Sequence, residues 1–147
     1  MNVDALRIKE KFAFAEKFVE LAKKITSGEK EEFISSLELQ VQGERVFEIL
    51  SQVILDVCMH IVSKSKIVSP PRSYADCMAN LAELGVISQD DLEKYAEMIR
   101  MRNLISHNYD SIVRDSLWDG LIEIIPDFEH YREIIFLWLD SISNGTH

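Results

Sequence analysis

Apolar residues in this chain recur at intervals of three and four from one end to the other, and no stretch alternates apolar with polar as a strand requires. An amphipathic helix must bury its stripe against other helices when no sheet is available, so this rhythm restricts the chain to an all-α bundle. Punctuation then divides it. A first helix is predicted from about Asn2 to Ser27, with Phe14, Phe18, Leu21, Ala22 and Ile25 on one stripe and Ile8, Phe12, Ala15 and Val19 on another beside it. Two stripes make a face wide enough for both a core and a partner, and Gly28 ends the pattern.

From about Glu31 to Ser63 lies a long helical stretch, with a break expected near Gln42-Gly43. Val46, Leu50, Val53, Ile54, Val57 and Ile61 face inward; Phe47, Ile49 and Cys58 widen that face, implying near-complete burial or a dimer contact. Lys64 to Arg72 is a linker, because Pro70-Pro71 forbids helix. Ser73 reads as an N-cap with Asp76 three residues on, Tyr74, Met78, Leu81 and Leu84 line the helix it opens, and Gly85 ends it. Ser88 with Asp91 repeats the start signal for a helix from about Gln89 toward Leu104, striped by Leu92, Tyr95, Ala96 and Ile99. Last come Trp118, Leu121, Ile122 and Ile125, then Phe128, Tyr131, Ile135, Trp138 and Ile142, with Pro126 kinking or separating the halves; Ser143 to His147 fray.

A length of 147 residues suits one domain spanning 1–147, and at that size roughly 68–70% of the unfolded surface is buried. No run of about 18 apolar residues is present and Met1-Asn2-Val3-Asp4 carries no signal-peptide pattern, so no membrane span is expected and the chain is placed in the cytoplasm. Cys58 and Cys77 read as two buried, reduced thiols. No spacing of Cys, His or carboxylates resembles a metal cage, so a metal-free site is expected. His60 reads as structural, His130 as a solvated surface residue, and His147 carries no weight. The net charge of −9 argues against nonspecific nucleic-acid affinity, which depends on neutralising phosphates. Between Leu92 and Asp115, however, Lys94, Arg100, Arg102 and Arg114 balance Glu93, Glu97, Asp110 and Asp115, so the deficit lies elsewhere.

Within that balanced stretch lies Arg102-Asn103-Leu104-Ile105-Ser106-His107-Asn108-Tyr109. It gathers a permanently charged fork of donors matched to a phosphate, an imidazole able to trade a proton near neutrality, and a phenol. Arg102 falls seven residues after Tyr95, in line with the apolar stripe, so it either ion-pairs structurally or waits for an anion in a cleft. Five positions separate Arg102 from His107, about 140° on an ideal helix. The two converge on one atom only if the helix ends between them or the ligand approaches from the flank.

Arg102-Asn103, His107 and Tyr109 after one helix and before another resemble the R-x4-H-x-Y signature of the HEPN superfamily, in its HepT-like (DUF86) toxin branch. Glu44-Arg45-Val46-Phe47-Glu48, Pro71-Arg72-Ser73-Tyr74, Leu84-Gly85-Val86-Ile87-Ser88 and Ile125-Pro126-Asp127-Phe128 also look like landmarks of that family. The resemblance implies a HEPN-type bundle of four to six helices with an up-down core and a kinked C-terminal helix. It further implies a homodimer whose two motifs face each other across a cleft, and a metal-independent endoribonuclease that acts on RNA rather than DNA. As the toxin of a type VII-like toxin–antitoxin module, it would be held in check by an MNT-type nucleotidyltransferase that uses ATP to transfer AMP onto Tyr109.

The residues suit that chemistry. A neutral His107 can take the 2′-OH proton, Arg102 can stabilise the crowded phosphorane, and a second His107 from a symmetry mate can protonate the leaving 5′-oxygen. A phenol is a poor base at neutrality but an acceptable nucleotidylation target, and AMP two residues from His107 would block and repel an incoming phosphate. From the residues alone Tyr109 reads as a hydrogen-bonding corner residue, and only the resemblance makes it a site of modification. The alternative to a ribonuclease is a catalytically silent accessory or substrate-binding module that docks beside a nucleotidyltransferase and presents Tyr109, or a substrate, to it.

Overall fold

The computed structural model describes residues 2–66, 70–107 and 111–144, without the side chains of 111–113. They form six helices: α1 (Ala5–Thr26), α2 (Lys30–Ser35), α3 (Leu37–Ser63), α4 (Tyr74–Glu83), α5 (Gln89–His107) and α6 (Ser111–Asn144). Among the described residues there is no strand, as the periodicity requires. α3 is the central strut and packs on all five other helices. Its buried residues run almost all the way round it, from Val46, Phe47 and Leu50 through Ile54, Leu55 and Val57 to Ile61 and Val62. That explains why α3 is long and apolar enough by composition to cross a membrane: much of its surface is buried inside the bundle.

The expected break at Gln42-Gly43 is instead at Ser36, whose extended backbone and side chain cap α3 by accepting from the Leu39 N–H at 3.2 Å. Gly43 is there for contact. A Cβ on it would stand 3.0 Å from both Leu121 and Phe33, so the missing side chain lets α2 and α6 close on α3. Buried Gln40 seals the join by donating to the carbonyls of Phe33 and Ile34 at 3.0 and 2.8 Å. The start and stop signals of α4 and α5 fall where the sequence puts them. Ser73 accepts from Asp76, Ser88 and Asp91 bond reciprocally, and Gly85 turns the chain at φ 81°.

Two stripes need revision. In α1 the core is Ile8, Phe12, Ala15, Val19, Ala22 and Ile25, while Phe14 is 52% exposed. In α6 Pro126 lies inside a continuous helix, so one register buries Leu117, Leu121, Ile124, Phe128, Tyr131, Ile135 and Leu139, and Ile122 turns outward. Tyr131 is fully buried and donates to the Ile54 carbonyl of α3 at 3.0 Å, fixing α6 across the strut. His60 is structural, as expected: its Nε2 accepts the Asp4 N–H at 3.0 Å and fastens the start of α1. Partial burial, then the cations Arg7 and Lys64, hold its pKa below the ordinary histidine value. His130 is not simply solvated. Its Nε2 lies 2.9 Å from Asp91, a buried carboxylate at the start of α5. Burial raises the Asp91 pKa, but hydrogen bonds from Ser88 and the nearby His130 outweigh it and leave the pKa below the usual range.

Candidate functional site

α5 carries the motif, and its stripe decides where Arg102 sits. Tyr95, Met98 and Ile99 are buried, so the next turn brings Arg102 to the rim of the core, half-buried between α3 and α4. Its Nη2 donates to Gln52 Oε1 of α3 at 2.8 Å, and its Cζ lies 5.3 Å from the centre of the Tyr74 ring of α4. Its Nε is buried with no hydrogen-bond partner, a position that costs about 1–3 kcal/mol when left unsatisfied. Gln52 is held in turn: its Nε2 donates to Asp56 Oδ1 at 2.8 Å, and Asp56 stands 3.8 Å from Lys11 of α1.

Arg102 borders a cavity of about 330 Å³ lined also by Glu44, Phe47, Glu48, Ile105 and Ser106. The two carboxylates are neighbours the sequence did not assign to the site. Glu48 is partly neutralised by Arg45 at 3.0 Å. A larger cavity of about 590 Å³ lies between α1 and α3 and shares Glu48 with the first. Its cations Arg7, Lys11 and Arg45 are matched by Glu10, Glu48 and Asp56, so it presents no net charge to an anion. The smaller cavity is the one that holds the guanidinium of the motif, with two carboxylates set against that single charge.

His107 is exposed, does not line the Arg102 cavity, and is the last assigned residue of α5. The helix therefore does not end between Arg102 and His107. Ser106, which the sequence offers as a terminator, bonds back to the Arg102 carbonyl at 2.9 Å instead, as a serine within a helix does. Of the two arrangements that could bring the pair together, approach from the flank remains. Tyr109 lies outside the described residues. Among the described residues no three His, Cys, Asp or Glu side chains gather as a metal site.

Cys58 and Cys77 are buried free thiols, yet they are not isolated: their sulfurs meet at 3.0 Å between α3 and α4. The hydrogen bond to Cys77 and then burial push the Cys58 thiol far above the ordinary range.

A bundle built this way, with a guanidinium and an imidazole on the penultimate helix, is a HEPN-type fold. The chain belongs to the HepT-like family (ribonuclease HepT-like), whose model matches residues 15–135. It is 25% identical to the tRNA nuclease HepT of Aphanizomenon flos-aquae over 143 residues, covering 96% of this chain and 95% of that one. The same fold occurs in the tri-AMPylated HEPN toxin of Shewanella oneidensis, solved in complex with MNT antitoxin. There the TM-score is 0.78 at 21% identity, over 88% of this chain and 96% of that one. It occurs again in YutE, a cytosolic Bacillus subtilis protein of unknown function, with a TM-score of 0.77 at 18% identity over 99% and 96% of the two chains.

Proposed function

We propose that this chain is a metal-independent endoribonuclease, the toxin of a type VII-like toxin–antitoxin pair acting in the cytoplasm, with residues 1–147 forming its single domain. Family membership supports the reaction class, and the observation that carries the reading is Arg102. It is half-buried at the edge of a cavity, lies over the Tyr74 ring and is oriented by Gln52, while no carboxylate of the described residues lies within ion-pair distance to cancel its charge. A guanidinium held so is ready for a phosphate before the phosphate arrives. His107 accepts the 2′-OH proton, the 2′-oxygen attacks phosphorus, and the 5′-oxygen leaves with a proton, giving a 2′,3′-cyclic phosphate. Because α5 runs unbroken through both residues, one chain does not close the site, and a homodimer supplies the second His107 as acid.

An MNT-type nucleotidyltransferase antitoxin switches this off by moving AMP from ATP to Tyr109: the phenol oxygen, losing its proton, bonds to the α-phosphorus as the α–β phosphoanhydride bond breaks and pyrophosphate leaves. The likeness to an AMPylated toxin in complex with such a partner supports that step. The experiment is RNA cleavage in chelator by wild type beside His107→Ala and Arg102→Ala. Cleavage by the first alone, leaving cyclic-phosphate ends, is expected, and equal activity in all three would end the reading. A silent module that only docks beside the nucleotidyltransferase is favoured by one feature: Glu44 and Glu48 face the cavity that a phosphate must enter. That module would take AMP on Tyr109, with Tyr109→Phe gaining no mass, and would leave RNA intact.

A further inference from the structure

The charge on Arg102 is aimed by a neutral group. Gln52 stands between Asp56, a carboxylate that can only accept, and Arg102, a guanidinium that can only donate, at 2.8 Å from each. Those neighbours leave its amide one orientation, NH₂ toward Asp56 and oxygen toward Arg102. The reverse would set donor against donor and acceptor against acceptor. If Asp56 met Arg102 directly, the ion pair would hold the guanidinium but cancel the charge that a phosphate needs. The amide passes on the orientation and keeps the two charges apart.

Gln52 lies fifty residues before Arg102 and on another helix, and nothing in the motif points to it. It also selects which edge of the fork a ligand meets. Nε is sealed from solvent, so the edge spanning Nε and Nη2 is closed to a bidentate ligand, and Gln52 takes one of the Nη2 protons. The Arg102 Cζ also lies over the Tyr74 ring, 5.3 Å from its centre.

We propose that Gln52 is a positioning residue for Arg102, clamped by Asp56, so that the guanidinium meets the phosphate end-on through its two Nη groups without an ion pair diminishing its charge. This rests on the ribonuclease reading for its effect on rate, but not for its effect on the guanidinium itself. Gln52 is half-buried at the edge of α3, outside the core, so replacing it leaves the packing of the bundle untouched.

The test uses the full chain as wild type, Gln52→Ala and Gln52→Glu. It records ¹⁵N spectra of the Arg102 guanidinium, assigned against Arg102→Ala, and measures kcat and KM for RNA cleavage. Wild type is expected to show slow rotation of the Nη groups. Gln52→Ala is expected to show fast rotation and a kcat lower by roughly ten- to a hundredfold, the usual effect of removing a partner that orients a reacting group. Gln52→Glu is made together with Asp56→Asn, so that a donor again faces residue 52; it restores an acceptor oxygen, so slow rotation and most of kcat return, but its carboxylate competes with the phosphate and raises KM. Equal Nη rotation in wild type and Gln52→Ala would overturn the proposal, as would slowed rotation in wild type with an unchanged kcat in Gln52→Ala. If wild type cleaves no faster than His107→Ala, the ribonuclease reading falls, and the guanidinium spectra alone decide whether Gln52 positions Arg102.

Discussion

Replacing Arg102 by Lys keeps the charge and removes the fork, which separates what position contributes from what charge contributes. Arg102 Nη2 reaches Gln52 Oε1 at 2.8 Å, within the range of a charge-assisted hydrogen bond. A bond of that kind contributes about 1.5–3 kcal/mol. Lysine has no fork of donors to reach Gln52 while its charge stays over Tyr74, so the whole of that contribution is at risk. At about 1.36 kcal/mol per factor of ten, the expected loss in kcat/KM is about 13- to 160-fold. The assay is RNA cleavage at several salt concentrations. Because Lys keeps one positive charge, the salt dependence of RNA binding should stay close to wild type while the rate falls. Activity within about threefold of wild type would refute the reasoning, since a point charge would then suffice. A fall in rate that comes with a flattened salt dependence would also refute it, because the loss would lie in charge and not in geometry.

The carboxylates beside Arg102 make a second prediction: Glu44→Gln with Glu48→Gln should tighten binding of a non-cleavable RNA roughly two- to fivefold at low salt, with the gain fading as salt screens it. Fluorescence anisotropy measures it. His60 gives a pH prediction. Its folded pKa lies below its unfolded value of about 6.5, so the unfolded chain binds the proton more readily. The contribution of His60 is therefore complete above about pH 6.5 and is lost as pH falls through that value toward the folded pKa. Urea midpoints from pH 7.5 to 5.5 should drop less in His60→Gln than in wild type. Tyr131→Phe removes the buried bond to the Ile54 carbonyl and should cost about 0.5–1.5 kcal/mol in urea denaturation, with RNA cleavage per folded molecule unchanged.

The sequence exposes what local chemistry decides. Ser73, Ser88 with Asp91, and Gly85 act within a turn of where they stand, and each does in the structure what its residue type demands. The α3 stripe and the alignment of Arg102 with Tyr95 follow from period alone. Errors arise where two meanings compete for one residue. Gly43 looks like a breaker but is a contact point; of the two outcomes open to Pro126, separation is the one the structure does not take, and the continuous α6 moves the buried face from Ile122 to Ile124. Contacts between distant helices leave no local trace. Gln52 under Arg102, Cys58 against Cys77 and Asp91 against His130 depend on helix packing, and no spacing along one helix reveals them. The helix running through to His107 is a local matter with two outcomes: Ser106 and Asn108 permit a stop, and the structure does not use Ser106 as one.

That unbroken helix makes a shared cleft the central claim, and it can be measured by mixing wild-type and His107→Ala chains, letting the subunits exchange, and following RNA cleavage against the wild-type fraction. If both copies of His107 serve one phosphate, activity falls as the square of that fraction, to about a quarter in an equal mixture. A linear fall, to about a half, would mean that each chain cleaves alone and would contradict the account.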